Sequence, residues 1–216
     1  MEKRYFYLKI VAQPLEEIKN TENADLTIIV GENKTVSYKK ELNGESVELK
    51  NLAKLSKDLS SVLICPFDTD NYGVIKRSAG VFDKGKLLGI SDMAVAYEDS
   101  PYMPGVSGGI YETDFGKIGV IIDDDFYSYE TLRSYAVCGV KVLVAIKKEK
   151  TSDMDKIVLR AYSYLLGLPT VFVSKNEVVS ADFKGNLVFD GGKRAKFEIS
   201  TLSEYYLKIS KTRFCK

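Results

Sequence analysis

Residues 109–125 read GIYETDFGKIGVIIDDD, and how this stretch divides decides the fold class. GIYET (109–113) and IGVII (118–122) are apolar, β-prone runs separated by DFGK (114–117), so they are expected as two strands joined by a short glycine-containing turn. Three successive aspartates, Asp123, Asp124 and Asp125, then end the second strand. From Ser128 to Cys138 the spacing is helical, with Ser128 placed to cap the helix and Gly139 to stop it. Residues 140–146 are a buried-strand run, which completes a strand-helix-strand unit.

The same alternation extends outward in both directions. Residues 5–12, 26–30 and 62–65 read as strands, and between the last two Val47, Leu49, Leu52, Leu55 and Leu59 recur so as to predict an amphipathic helix over roughly residues 45–60. After the central unit, Ser152 and Asp155 resemble a capping box, and Met154, Ile157, Val158, Ala161 and Leu165 follow at helical spacing until Gly167 and Pro169 end the helix. Strands are expected over residues 169–174, 178–183 and 187–189, the last two turning at Lys184-Gly185-Asn186. The final 16 residues have a mixed pattern. With no linker, repeat or low-complexity segment, the 216 residues are expected to form one α/β domain spanning 1–216.

Composition removes several kinds of chemistry. Lysine and arginine number 31 against 30 aspartates and glutamates, so nothing in the net charge suggests a nucleic-acid or anionic-membrane partner. No apolar run approaches the roughly 18 residues of a membrane span or forms a signal peptide, and a cytoplasmic location is expected. Cys65, Cys138 and Cys215 are odd in number and lack metal-ligand spacing, which argues against a disulfide framework or a zinc site. The complete absence of histidine excludes Ser-His and Cys-His catalysis and leaves carboxylates, lysine, tyrosine and cysteine.

In order and spacing these elements resemble the nitrilase superfamily of carbon-nitrogen hydrolases along nearly the whole chain. FYLKIVAQ (6–13) resembles the family's opening strand, and ADLTIIVGE (24–32) the strand that delivers a catalytic glutamate, with Gly31 replacing the usual proline. KRSAGVFDKGKLLG (76–89) resembles the hairpin before the catalytic lysine, and Pro104-Gly105 the segment after it. GKIGVIIDDD (116–125), continuing through Glu130, Arg133 and Gly139 to Leu143-Val144, resembles the segment carrying the nucleophilic cysteine, its paired aspartate and the following helix. Arg160-Ala161 and Asn176 also match. The layout departs at the first connection, where about a dozen residues replace a long helix. The resemblance implies a four-layer αββα sandwich that dimerises through helices.

It also implies a glutamate, lysine and cysteine triad, in which a carboxylate collects the proton of a thiolate nucleophile and a cation stabilises the oxyanion. Glu32 matches the glutamate. The lysine position falls on Met93 or, with a one-residue shift, on Asp92, and neither is a cation. The nucleophile position is Asp123, with Asp125 as the paired aspartate; Asp125 and Glu130 are the expected ligand-side residues. A carboxylate with a reference pKa of about 3.9 attacks amides poorly, so standard hydrolysis is expected to be lost. Cys65 is the candidate substitute nucleophile. Should Glu32, Asp92 and Asp123 converge, one of them would hold a proton or the group would take a hard divalent cation; no cofactor is otherwise implied. The expected function is binding or regulation through a small amide-like or amino-acid-like ligand, the alternatives being a divergent amidohydrolase with Glu32 as base, or an assembly subunit.

Overall fold

The structure is a computed structural model describing residues 7–18, 23–31, 34–96, 98, 100–106 and 109–202. Its first half holds β1 (Tyr7–Gln13), β2 (Leu26–Ile29), β3 (Thr35–Ser37), α1 (Tyr38–Leu42), α2 (Glu48–Leu59), β4 (Val62–Asn71), β5 (Val74–Asp83) and β6 (Lys86–Asp92). Its second half holds β7 (Ile110–Thr113), β8 (Gly116–Ile122), α3 (Tyr129–Val137), β9 (Val142–Ile146), α4 (Asp153–Leu166), β10 (Thr170–Val173), β11 (Val178–Ala181), β12 (Leu187–Gly191) and β13 (Ala195–Ser200).

Two mixed sheets result. One runs β13-β1-β2-β4-β5-β6, with β3 added alongside β4, and the other runs β12-β11-β10-β9-β8-β7. In each sheet the centre is parallel, as β1-β2-β4 and β8-β9-β10, and the margins are antiparallel. Strand alternation then sorts the side chains into three apolar layers. Ile10, Ile28, Ile64 and Val81 meet Ile118, Val120, Val144 and Val171 between the sheets. Leu63, Cys65, Phe67 and Phe82 face the opposite way, onto α2. Ile121, Leu143, Ala145 and Phe172 pack on α3 and α4. The order of layers is therefore helix, sheet, sheet, helix, the expected αββα sandwich.

Local chemistry explains the helix ends. Ser152 accepts from the Asp155 amide while the Asp155 carboxylate accepts from the Ser152 amide, closing the capping box, and Gly167 takes a left-handed φ of 58° that ends α4. Between β1 and β2 the described backbone makes only a 3-10 turn, Leu15–Glu17, in place of a crossover helix. Strand β4 continues to Asn71, well past residue 65, because β5 pairs with it over its whole outer half. Strand β13, unmarked in the sequence reading, pairs antiparallel with β1 from Tyr7↔Ser200 to Ala12↔Ala195. No helix among the described residues is long and apolar enough to cross a membrane.

Candidate functional site

Strand β8 delivers Asp123 to the seam between the sheets. Ile118, Val120 and Ile122 face the seam, and straightforward alternation would turn the next residue toward the helices. Asp123 instead adopts φ 46°, a left-handed conformation that aspartate tolerates better than most residues. Its carboxylate is consumed on both sides: Oδ2 lies 2.5 Å from Arg77 Nη1, and Oδ1 accepts the Lys148 backbone N–H at 2.8 Å. The chain continues as a 3-10 turn, Asp123–Tyr127. Within it Asp125 is fully buried and accepts the backbone N–H groups of Ala94 and Val95, both at 2.8 Å, tying the end of β8 to the exit of β6.

Three more charged side chains reach the same seam by the same alternation. Arg77 follows Val81 and Ala79 on the inner face of β5, Asp68 lies opposite it on β4, and Lys148 continues the inward series Val142, Val144, Ile146 beyond β9. Arg77 Nε stands 3.7 Å from Asp68 Oδ1, and Lys148 Nζ donates to Asp68 at 3.2 Å and to the Tyr102 hydroxyl at 2.6 Å. The Tyr102 ring lies against the Arg77 guanidinium, 4.4 Å from its central carbon, as a cation-π contact. Burial works against the charge of Arg77, but Asp123 and Tyr102 outweigh it and raise its pKa. Burial, together with the charge of Asp123, likewise pushes the Asp124 carboxyl up. Asp125 is also raised, by burial and by its two acidic neighbours, against the pull of the Ala94 and Val95 amides. A cavity of about 30 Å³ remains beside Asp123, bounded by Arg77, Asp68, Lys148, Ser78, Ser174 and their neighbours.

Several expected site residues lie elsewhere. Glu32 falls outside the described residues; Gly31 before it has φ 75°, which proline's ring forbids, so the departure from the family pattern is a backbone requirement. Met93 is the residue that turns into the seam, where it joins the intersheet core. Asp92 points to the opposite face of the sheet, bonded to Ser78 Oγ at 2.7 Å and 3.3 Å from Lys76 Nζ, and a Cβ at Gly105 would overlap it. Asp92 and Asp123 therefore do not converge, and the expected three-carboxylate cation site is not assembled. Among the described residues no group of three acidic or cysteine side chains could hold a metal ion. Cys65 is a correction of the same kind: it is buried against α2, on the far side of the sheet from Asp123. Cys138 is exposed at the end of α3, and Cys215 is outside the described residues. Glu130 is exposed on α3, with Arg133 3.9 Å away, and does not border the cavity. Asp125 is spent on backbone amides and cannot face a ligand.

Arg77, Asp68, Lys148 and Tyr102 were not among the expected residues. A signal existed for Arg77, since in IKRSAGV (75–81) it shares parity with Ala79 and Val81, the inward positions.

No protein-family profile matches the sequence, and no curated protein matches it. Solved structures do. Nit3 of Saccharomyces cerevisiae, a member of branch 10 of the nitrilase superfamily, superposes with a TM-score of 0.74 at 14% identity, over 97% of this chain and 96% of that one. A carbon-nitrogen hydrolase from Helicobacter pylori G27 gives 0.71 at 15% identity, over 95% and 92%. An amidase variant from Nesterenkonia sp. AN1, with covalent addition of the acetamide moiety of fluoroacetamide at its active site cysteine, gives 0.68 at 14% identity, over 97% and 95%. With two sheets, outer helix layers and near-complete coverage in common, the chain has the αββα fold of the nitrilase superfamily.

Proposed function

We propose that this is a single-domain carbon-nitrogen hydrolase-superfamily protein in which thiol-dependent hydrolysis has given way to binding of a small amide-like or amino-acid-like molecule. The observation that carries this reading is the state of Asp123. It ends β8, where the resemblance puts the nucleophile, and both of its oxygens are already bonded, to Arg77 and to the Lys148 amide. A carboxylate held in this way is a weak nucleophile toward an amide and has no proton to hand on. The Nesterenkonia amidase variant carries the acetamide moiety of fluoroacetamide on its active site cysteine, whereas the cysteines described here lie on the α2 face and at the outer end of α3. Met93, one of the two residues matched to the family's lysine, supplies apolar packing at the seam, and the other, Asp92, is no cation either.

The test is ammonia release from a panel of short amides and nitriles, alongside calorimetry with the same compounds. Binding without ammonia is expected. Ammonia release that disappears in Glu32→Ala would instead make the protein a divergent amidohydrolase with Glu32 as base.

We also infer that two copies associate through α3 and α4, whose outer faces carry exposed Tyr129, Met154, Ile157 and Leu165.

A further inference from the structure

The geometry points to a small carboxylate as the group that the cavity beside Asp123 receives, held by Arg77 Nε and Lys148 Nζ. This deepens the ligand-binding reading above and rests on it. Arg77 is more than nine-tenths buried, yet its Nε has no hydrogen-bond partner among the described residues, the Asp68 carboxylate standing 3.7 Å away, beyond hydrogen-bond reach. A buried guanidinium N–H without an acceptor costs roughly 1–3 kcal/mol, so an acceptor arriving there recovers that cost. Nearby, Lys148 Nζ has three N–H donors, of which Asp68 and Tyr102 take two among the described residues.

Charge points the same way. The cavity is bounded by Arg77, Lys147, Lys148 and Lys175 against Asp68 and Asp123. Lys147 is committed outward to the fully buried Asp155, 2.9 Å away, and a cationic excess still remains among the described residues. The two acids do not repel an incoming anion strongly, because Asp123 is bonded by Arg77 and the Lys148 amide, and Asp68 by Lys148. Size sets the limit. A cavity of about 30 Å³ admits a group of a few heavy atoms, such as a carboxylate, and leaves the rest of a larger ligand outside. Lys148, at 28% side-chain exposure, connects the cavity with solvent. A guanidinium N–H beside an ammonium offers one charged donor to each oxygen of a carboxylate.

The test uses the full chain labelled with ¹⁵N-arginine, titrated with sodium acetate at constant ionic strength and with chloride as control. The Arg77 Nε–H signal is assigned through its contact with the Tyr102 ring and its loss in Arg77→Lys. A saturable shift with acetate and none with chloride is expected, with affinity falling roughly tenfold in Lys148→Met, equivalent to about 1.4 kcal/mol. Lys148 is the more exposed partner, so this variant keeps the test valid if Arg77→Lys does not fold. An Arg77 signal that ignores acetate overturns the inference, including the case in which only Glu32→Gln makes it respond, because the chain's own carboxylate would then fill the cavity. Ammonia release bears on the functional reading alone, so the two can fail separately.

Discussion

Asp123 combines three roles in one residue: it ends a strand, turns the chain through a left-handed conformation, and gives its charge to a buried arginine. Removing one partner of a buried pair leaves the other charge uncompensated, which costs about 3–5 kcal/mol. Asp123→Ala is therefore expected to lower the unfolding free energy by about 3 kcal/mol in urea titrations, with Arg77 stranded. Asp123→Asn keeps an acceptor for the Lys148 amide and tolerates the left-handed backbone, so its expected cost is smaller, about 1–2 kcal/mol. Equal losses in the two variants would mean that the ion pair contributes nothing. The sequence revealed the position of Asp123 because an apolar run breaking into acids marks a strand end. It did not reveal Arg77, because the two residues are 46 apart and meet only when the sheets stack. Which of Asp92 and Met93 faces the seam was likewise open until pairing of Ser78 with Asp92 fixed the parity of β6.

At the scale of elements, α4 is anchored by its first turn. Asp155 accepts from the Ser152 amide at 2.7 Å, from Lys147 Nζ and from the Tyr127 hydroxyl, so it joins the helix to the end of β9 and to the turn after β8. Burial opposes its charge, but Tyr127, Ser152 and Lys147 together hold its pKa below the ordinary aspartate value. A carboxyl lowered on folding contributes stability above its unfolded pKa of about 3.9, and that contribution disappears as pH falls through the folded value. The melting temperature is thus expected to fall steeply below about pH 4 in the wild type and less steeply in Asp155→Asn, which starts from a lower stability at pH 7. Parallel acid limbs in the two proteins would exclude Asp155 as a source. In Asp125→Ala the Ala94 and Val95 amides lose their buried acceptor, and hydrogen exchange at both is expected to quicken as stability drops by about 2–4 kcal/mol. Exchange unchanged at these amides would show that Asp125 does not hold the two sheets together there. The capping box and both glycine-turn hairpins were legible because their partners are neighbours in sequence. Strand β13 was not, since its partner β1 lies at the other end of the chain.

For the whole molecule, alternation of strands and helices gave only the α/β class, and the order of motifs was needed to reach two sheets between helix layers. Helix α4 shows why periodicity falls short: Met154, Ile157 and Leu165 do lie on one helical face, but it is the outer one, while Leu159 and Leu166 face the sheet. A 14-residue helix apolar on both faces has a second surface to cover. Isolated exposed apolar residues are ordinary, but here Tyr129 of the adjacent α3 extends the row, and a stable dimer needs about 800 Å² from each copy. Ile157, at 61% exposure, stands midway along it. Ile157→Lys puts a charge at the centre of that face and is expected to change monomer stability by no more than about 0.5 kcal/mol. Sedimentation velocity should therefore find a wild-type dimer and a folded Ile157→Lys monomer. A wild type that sediments as a monomer would leave the outer face of α4 without a second copy, and a variant that remains dimeric would move the interface to another face of the sandwich.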